Sequence, residues 1–272
     1  MSTREFAYSD ADFERVRKLI YQHAGISLSD QKRDLVYSRL ARRLRVLGLK
    51  RFSDYLDALH ADKLQGEWEH FVNALTTNLT SFFRESHHFD ILKSHLQKCG
   101  TRPIRIWCSA ASTGEEPYSL AITAAKAFNS LKPPVRIIAS DLDTNVLKTA
   151  AEGVYGFDRV ARLPESDLKA YFLRGAGSRE GLVRVRPELQ AMIEFKQINL
   201  LHARYAIDGP LDVLFCRNVM IYFDKPTQRE ILARFAPLMA DHGLLFAGHS
   251  ESFLHAADIF KSLGKTVYAL AK

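Results

Sequence analysis

The chain has 272 residues, 47% of them hydrophobic, and carries 38 basic against 31 acidic side chains for a formal charge of +7. That content is ample for a sizeable core and excludes a disordered or fibrous chain. The positive balance points to an acidic partner, whether nucleic acid, an anionic membrane surface or an acidic protein, without choosing among them.

Cys99, Cys108 and Cys216 lie far apart with no C-x-x-C pair, so neither a disulfide framework nor a zinc site is expected and a reducing compartment fits. His87 and His88 are adjacent and point apart on a helix, and no H-E-x-x-H occurs, so the expectation is no metal. The opening MSTREFAYSDADF lacks the apolar stretch of a signal peptide. No run approaches the ~20 apolar residues that span a bilayer, so a soluble cytoplasmic protein is expected.

Residues 1–95 carry helical periodicity and almost no strand signal. From Ser29, a candidate N-cap, Val36, Leu40, Leu44 and Leu47 recur on one face and Gly48 ends the pattern. The other side carries Lys32, Arg33, Arg39, Arg42, Arg43 and Arg45. Of these, Arg39, Arg42 and Arg43 are expected to project together as a docking surface for an acidic helix or polyanion. The glycine and proline of KCGTRP, residues 98–103, mark a linker to a second domain, 96–272.

That second part alternates strands and helices. Its strand candidates are IRIWCSA, VRIIASD, IEFKQIN, LDVLFCR, GLLFAGH and TVYALA, and helical patterns follow the first, second and fourth. The alternation predicts a mainly parallel α/β sheet with its ligand at the carboxyl ends of the strands. Residues 171–195 interrupt it with short runs separated by Gly175, Gly177 and Gly181, which reads as a small antiparallel insert.

The strand ends hold the candidate chemistry. After the first strand, Ala110 to Gly114 form a small-residue turn that lets backbone approach a ligand. Glu115 and Glu116 follow, beside Pro117, and two carboxylates there disfavour phosphate and favour a cationic ligand. Asp141 ends the second strand where an acid grips a ribose diol, Asn199 ends the third, and Arg217 with Asn218 end the fourth. Together they describe a nucleoside with positive charge and no phosphate, which fits S-adenosylmethionine. A nicotinamide enzyme is disfavoured most, because the loop lacks G-x-G-x-x-G and would present carboxylates to a pyrophosphate. An amino-directed DNA methylase is disfavoured because Val219 and Met220, not two prolines, follow Asn218. A scaffold that binds S-adenosylmethionine without turnover remains a rival.

The segments TTNLTSFFRE (76–85), SAASTGEEPYSLA (109–121), SDLD (140–143), FCRNVMIYF (215–223) and LLFAGHSE (244–251) resemble the motif series of the CheR family of chemotaxis receptor methyltransferases. The resemblance runs over nearly the whole chain. It implies a Rossmann-like SAM-dependent methyltransferase sheet with a small antiparallel β insert, preceded by an all-α domain. It also implies glutamate O-methylation of methyl-accepting chemotaxis proteins. By it, Asn78, Thr80, Arg84, Glu115, Asp141, Asn199, Leu200, Arg217 and Asn218 would contact the cofactor, and Arg84 and Tyr222 would orient the substrate. The insert would bind a receptor's C-terminal peptide as an added strand. Nothing in the sequence demands more than a monomer, and no nucleic-acid or membrane-inserted partner is expected. Phe82 and Phe83 are assigned to packing, and His249 to a local structural role.

Overall fold

The computed structural model describes residues 4–76 and 78–271. The chain parts into two units, one of residues 4–76 with 222–227 and the other of 78–221 with 228–271. Residues 1–3, 77 and 272 lie outside the described residues.

In the first unit, α1 (Asp10–Ala24) starts at a capping box that the sequence reading passed over. Ser9 Oγ accepts the Asp12 N–H at 3.1 Å while the Asp12 carboxylate accepts the Ser9 N–H at 2.9 Å. Ser9 thus satisfies a donor that the helix leaves orphaned, and Gly25 in the left-handed region closes the other end. Three more helices follow: α2 (Arg33–Leu47), α3 (Phe52–His60) and α4 (Glu67–Leu75). Ser29 precedes a single 3₁₀ turn, Asp30–Lys32, rather than capping α2 itself. Val36, Leu40 and Leu44 are fully buried, as the spacing predicts, and Leu47 is half-buried where the helix ends at Gly48.

The expected basic face of α2 is largely consumed within its own unit. Arg43 grips the buried Glu67 with two bonds of 2.9 and 2.7 Å, and Tyr55 donates to the same carboxylate at 2.9 Å. Arg39 donates to the carbonyls of Ala74 and Thr76. Arg33 pairs with Asp10 and Arg45 with Glu5. Of the three residues expected to project together, Arg42 alone is exposed. The acids that balance α2 come from other segments, so local sequence did not display them.

The first helix of the second unit is α5 (His87–Cys99), through which the expected boundary between residues 95 and 96 passes. Its elements then run β1 (Ile104–Cys108), α6 (Glu115–Phe128), β2 (Val135–Asp141), α7 (Thr144–Glu152), β3 (Val154–Gly156), α8 (Phe157–Val160), α9 (Glu165–Tyr171), β4 (Phe172–Arg174) and β5 (Leu182–Val185). After these come α10 (Pro187–Gln190), β6 (Ile193–Gln197), β7 (Leu211–Cys216), α11 (Lys225–Phe235, its first three residues counted with the first unit), β8 (Met239–Ala247), β9 (Phe260–Gly264) and β10 (Val267–Leu270). Among the described residues seven strands form one sheet in the order β6-β2-β1-β7-β8-β10-β9. The first five are parallel, and β10 and β9 close the edge antiparallel.

Strand order reverses between β1 and β7: the chain leaves β1 toward β2 and β6, then returns to β7 on the other side. Such a switch point opens a crevice at the carboxyl ends of the strands. All six residues of β7 are buried, as a central parallel strand requires. Phe215 stacks on Phe246 of β8 with centroids 4.4 Å apart, and the fully buried Trp107 satisfies its N–H on Ser140 Oγ at 2.9 Å. The helix α6 is buried along Glu115 to Ala125, which explains a sequence apolar on every side.

The small antiparallel sheet has the order β3-β5-β4 and spans Val154 to Val185. It therefore starts upstream of the expected 171–195 insert, because its edge strand VYG is too short to show alternation. Ile193–Gln197 belongs to the main sheet instead.

Candidate active site

The turn after β1 is built by close backbone approach. Ser109 and Ala111 donate to the carbonyls of Phe215 and Ser140 at 2.9 and 2.8 Å, locking the turn between β7 and β2. Gly114 has φ of 99°, and a Cβ there would lie 2.6 Å from Tyr155 Oη and 2.9 Å from Ala150 Cβ. Tyr155 itself donates to the Thr113 carbonyl at 2.7 Å. Glycine is thus required both for its conformation and for the space it leaves.

Glu115 and Glu116, expected from their adjacency to attract a cationic ligand as a pair, each meet a cation of the protein itself. One residue apart on a helix, they point to different guanidiniums. Arg217 Nη1 donates to Glu116 Oε2 at 2.6 Å, and the Cys108 thiol donates to the other oxygen at 3.3 Å. Burial pushes the Glu116 carboxyl up and Arg217 opposes that. Glu115 is met by Arg159 and by the Thr113 hydroxyl, the latter at 2.7 Å. The first turn of α6, whose counterpart holds an anion in phosphate-binding folds, here carries the protein's own two carboxylates.

At the end of β2, Asp141 accepts the N–H groups of Ser112 and Asp143 at 2.8 and 3.1 Å. Burial raises its pKa against those two bonds. Ser112 holds φ of 48°, which turns its N–H onto the carboxylate. Asp143 caps α7 through Asn145 and Val146 N–H and also accepts from Asn78 Nδ2 at 3.0 Å. The Asn78 carbonyl accepts the Ser112 hydroxyl at 3.2 Å. Asn78 is thereby tied to Asp143 of SDLD and to Ser112 of the turn after β1.

After β6, Asn199 Oδ1 accepts the Leu201 N–H at 2.9 Å, and the carbonyl of the buried Leu200 accepts from Tyr205 and Arg234. At the end of β7, Asn218 sits in the left-handed region with φ of 58°. Its conformation is held by Glu251, whose carboxylate accepts the N–H groups of Asn218, Val219, Met220 and Gly248 at 2.5 to 3.0 Å. A Cβ at Gly248 would lie 2.3 Å from Asn218 Nδ2.

The segment from Asn78 to His88 is tied to these same ends. Arg159 donates to the Thr80 carbonyl at 3.3 Å, Ser119 Oγ receives the Phe83 N–H at 2.9 Å, and Arg217 donates to the Arg84 carbonyl at 2.5 Å. Phe82 packs edge-on against Tyr155 and Phe172, and Phe83 against Phe89. The Arg84 guanidinium donates to the Leu79 carbonyl at 3.0 Å. Glu85 pairs with Arg217 and with His249 Nδ1; although burial pushes its carboxyl up, these partners hold it down at about 2. Tyr222 packs with the first unit, where its carbonyl accepts the Ser27 N–H at 2.8 Å.

Residues 11–76 match the family model "CheR methyltransferase, all-alpha domain" and residues 78–269 match "CheR methyltransferase, SAM binding domain". The chain belongs to the CheR methyltransferase family. It is 54% identical to a chemotaxis protein methyltransferase of Salmonella typhimurium, covering 99% of this chain and 93% of that one. Identity to an Escherichia coli chemotaxis protein methyltransferase is 52%, over 99% of this chain and 94% of that one. It is 53% to chemotaxis protein methyltransferase 2 of Pseudomonas aeruginosa, over 98% and 96%.

The donor set suits the ligand that gives the CheR family's larger domain its description. Asp141 offers a carboxylate at the switch-point crevice, where a ribose diol can donate, while Glu115 closes the neighbouring helix end to phosphate. The CheR methyl donor, S-adenosylmethionine, carries the diol and lacks the phosphate. Two groups around this set are not marked as site residues by the sequence, Arg159 and Glu251. Glu251 lies in the recognised LLFAGHSE segment, yet its role depends on four N–H groups more than thirty positions away or at a tight turn. Arg159 belongs to the interrupting region, where no local signal marks it.

Proposed function

We propose that the chain transfers a methyl group from S-adenosylmethionine to glutamate side-chain carboxylates of methyl-accepting chemotaxis receptors, forming methyl esters in sensory adaptation. What carries this reading is the acceptor set around Asp141 at the switch point, beside a helix end closed to phosphate by Glu115, in a chain of the CheR family. When bound, S-adenosylmethionine supplies an activated methyl group on its sulfonium. A glutamate carboxylate is already ionised at pH 7, so the chain needs no general base.

Positioning is then the task of its residues. Holding acceptor and donor in line can contribute up to roughly 7–11 kcal/mol to lowering a barrier. We assign Asp141 to the diol and Glu115 to the cationic end of the cofactor, with Asn78, Thr80, Asn199, Leu200 and Asn218 lining it. Arg217 serves the site by fixing Glu116 and the Arg84 carbonyl, which supports its assignment to the cofactor set as a positioning residue. Arg84 steers the incoming carboxylate by a charge-assisted bond, and Tyr222 keeps the substrate-orienting role the resemblance implies. The exposed Arg42 contributes to receptor docking, with Arg39 and Arg43 shaping α2 beneath it. The free edges of the small sheet accept a receptor's C-terminal tether as an added strand. The chain acts as a cytoplasmic monomer; no helix among the described residues is long and apolar enough to cross a membrane.

The test is transfer of labelled methyl from S-adenosylmethionine to membranes containing methyl-accepting receptors, with Arg84→Ala beside the wild-type chain. Base-labile label on receptor, lost in the variant, is the expected result. Cofactor binding without any label would favour the non-turnover scaffold.

A further inference from the structure

We propose that His95, Cys99, Asp212 and His242 form a binding site for a divalent metal ion of the zinc class, remote from the methyl-transfer site. The sulfur of Cys99, a carboxylate oxygen of Asp212 and a ring nitrogen of His242 lie within 4.8 Å of one another. Zinc ligated at about 2.0–2.3 Å brings such donors somewhat closer than this, so a small inward shift completes the set. His95 supplies the fourth donor. It stands four residues before Cys99 on α5, one turn away on the same face, and its buried Nε2 has no hydrogen-bond partner. Its ring stacks on that of His242 with centroids 6.1 Å apart and an interplanar angle of 25°.

The site occupies the amino end of the sheet. Asp212 is the second residue of β7 and Arg217 follows its last, so the two ends are about 15 Å apart along the strand. This proposal is therefore independent of the methyl-transfer reading. One thiolate, two imidazoles and one carboxylate form a borderline-soft set that suits Zn²⁺ and not the oxygen-seeking Mg²⁺ or Ca²⁺. The two anionic ligands also balance the charge of the ion.

A cationic side chain stands at the same locus. Arg102 Nη2 contacts Asp212 Oδ1 and lies 2.6 Å from His242 Nε2, while His242 Nε2 is 2.7 Å from Asp212 Oδ1. A neutral imidazole nitrogen cannot both accept from the guanidinium and donate to the carboxylate. A metal ion taking the lone pairs of His242 and Asp212 removes that conflict. Arg102 is 43% exposed and can withdraw to solvent. Asp212 Oδ2 stays oriented by the Arg105 N–H at 2.8 Å, the kind of outer bond that fixes a metal-ligating carboxylate.

The experiment titrates the full chain with Co²⁺ in a phosphine reductant and follows the optical spectrum. We expect one equivalent bound with the visible bands of tetrahedral cobalt and a thiolate-to-cobalt charge-transfer band, both displaced by Zn²⁺. Cys99→Ser abolishes the charge-transfer band, and His95→Ala and His242→Ala each weaken binding by about 10-fold or more. Arg102→Ala, which removes the competing cation, tightens it. Absence of the charge-transfer band in the wild-type chain overturns the proposal, as does its persistence in Cys99→Ser. If Cys99→Ser fails to fold by circular dichroism, the Arg102→Ala arm decides: unchanged or weakened cobalt affinity refutes the site.

Discussion

Arg217 Nη1 lies 2.6 Å from Glu116 Oε2, joining the end of β7 to the first turn of α6 across 101 positions of sequence. Both groups are buried, and the same guanidinium reaches the Arg84 carbonyl and Glu85. Removing one partner leaves a buried charge without compensation. Arg217→Met is expected to lower stability by about 3–5 kcal/mol. Urea unfolding of Arg217→Met and of Arg217→Met with Glu116→Gln provides the check. The double variant should recover part of the loss, and a single-variant loss below about 1 kcal/mol would show the pair to be dispensable.

Asp141 is expected to matter for ligand more than for fold. It accepts one backbone N–H on each carboxylate oxygen, and Asn in its place keeps one of these bonds through its amide oxygen and loses the other. A lost charge-assisted bond to a diol corresponds to about 1.5–3 kcal/mol. Calorimetric titration of Asp141→Asn with S-adenosylhomocysteine should show affinity reduced about 10- to 100-fold. Wild-type affinity in this variant would remove Asp141 from the cofactor set.

Gly114 offers a steric test of the turn. Its added methyl would overlap Tyr155 Oη at 2.6 Å and press on Ala150 Cα at 3.0 Å, at a φ of 99° that L-residues rarely hold. Gly114→Ala should destabilise by about 2 kcal/mol or more. Tyr155→Phe removes the oxygen overlap alone, so the double variant should regain only a fraction. Equal thermal midpoints for Gly114→Ala and the wild-type chain would contradict the packing described.

His88 is expected to set part of the acid lability. Burial pushes its imidazole down to about 4 from the ordinary 6.5, and its Nε2 lies 2.9 Å from the Lys265 carbonyl. Between these values the unfolded chain binds a proton that the folded chain refuses. Stability therefore falls as pH drops from 6.5 toward 4, by roughly 3 kcal/mol in all. Glu85, held at about 2, adds a further loss only below about 4.5. Urea midpoints at pH 7, 5.5 and 4.5 should decline less steeply for His88→Gln than for the wild-type chain, and parallel declines would assign the lability elsewhere.

The sheet was legible because parallel strands buried on both faces read as apolar runs, and six of the seven main-sheet strands appear at their expected segments. FKSLG escaped because four of its five residues are exposed and no alternation marks it. Asp141 and Asn218 could be found from their place at strand ends. The partners of the charged residues could not. Glu115 and Glu116 look like a pair in sequence, yet Arg159 and Arg217, 44 and 101 positions away, divide them. The same blindness made α2 look more cationic than it is, since Glu5, Asp10 and Glu67 answer its arginines. Metal spacing was likewise unreadable when donors come from α5, β7 and β8 rather than from one motif.

The place of β7 in the middle of the sheet bears on synthesis. A ribosome releases β1 and β2, and then β6, before Leu211 emerges, so the growing chain holds β1 with one open edge. In that interval Glu116 has no Arg217 and the Asn218 corner does not exist. Such late, long-range pairing slows folding and leaves the intermediate prone to edge-to-edge association. A chain arrested before Leu211 would therefore lack the sheet's centre together with Arg217 and Asn218, two members of the proposed cofactor set, so on that reading ligand capture waits for β7.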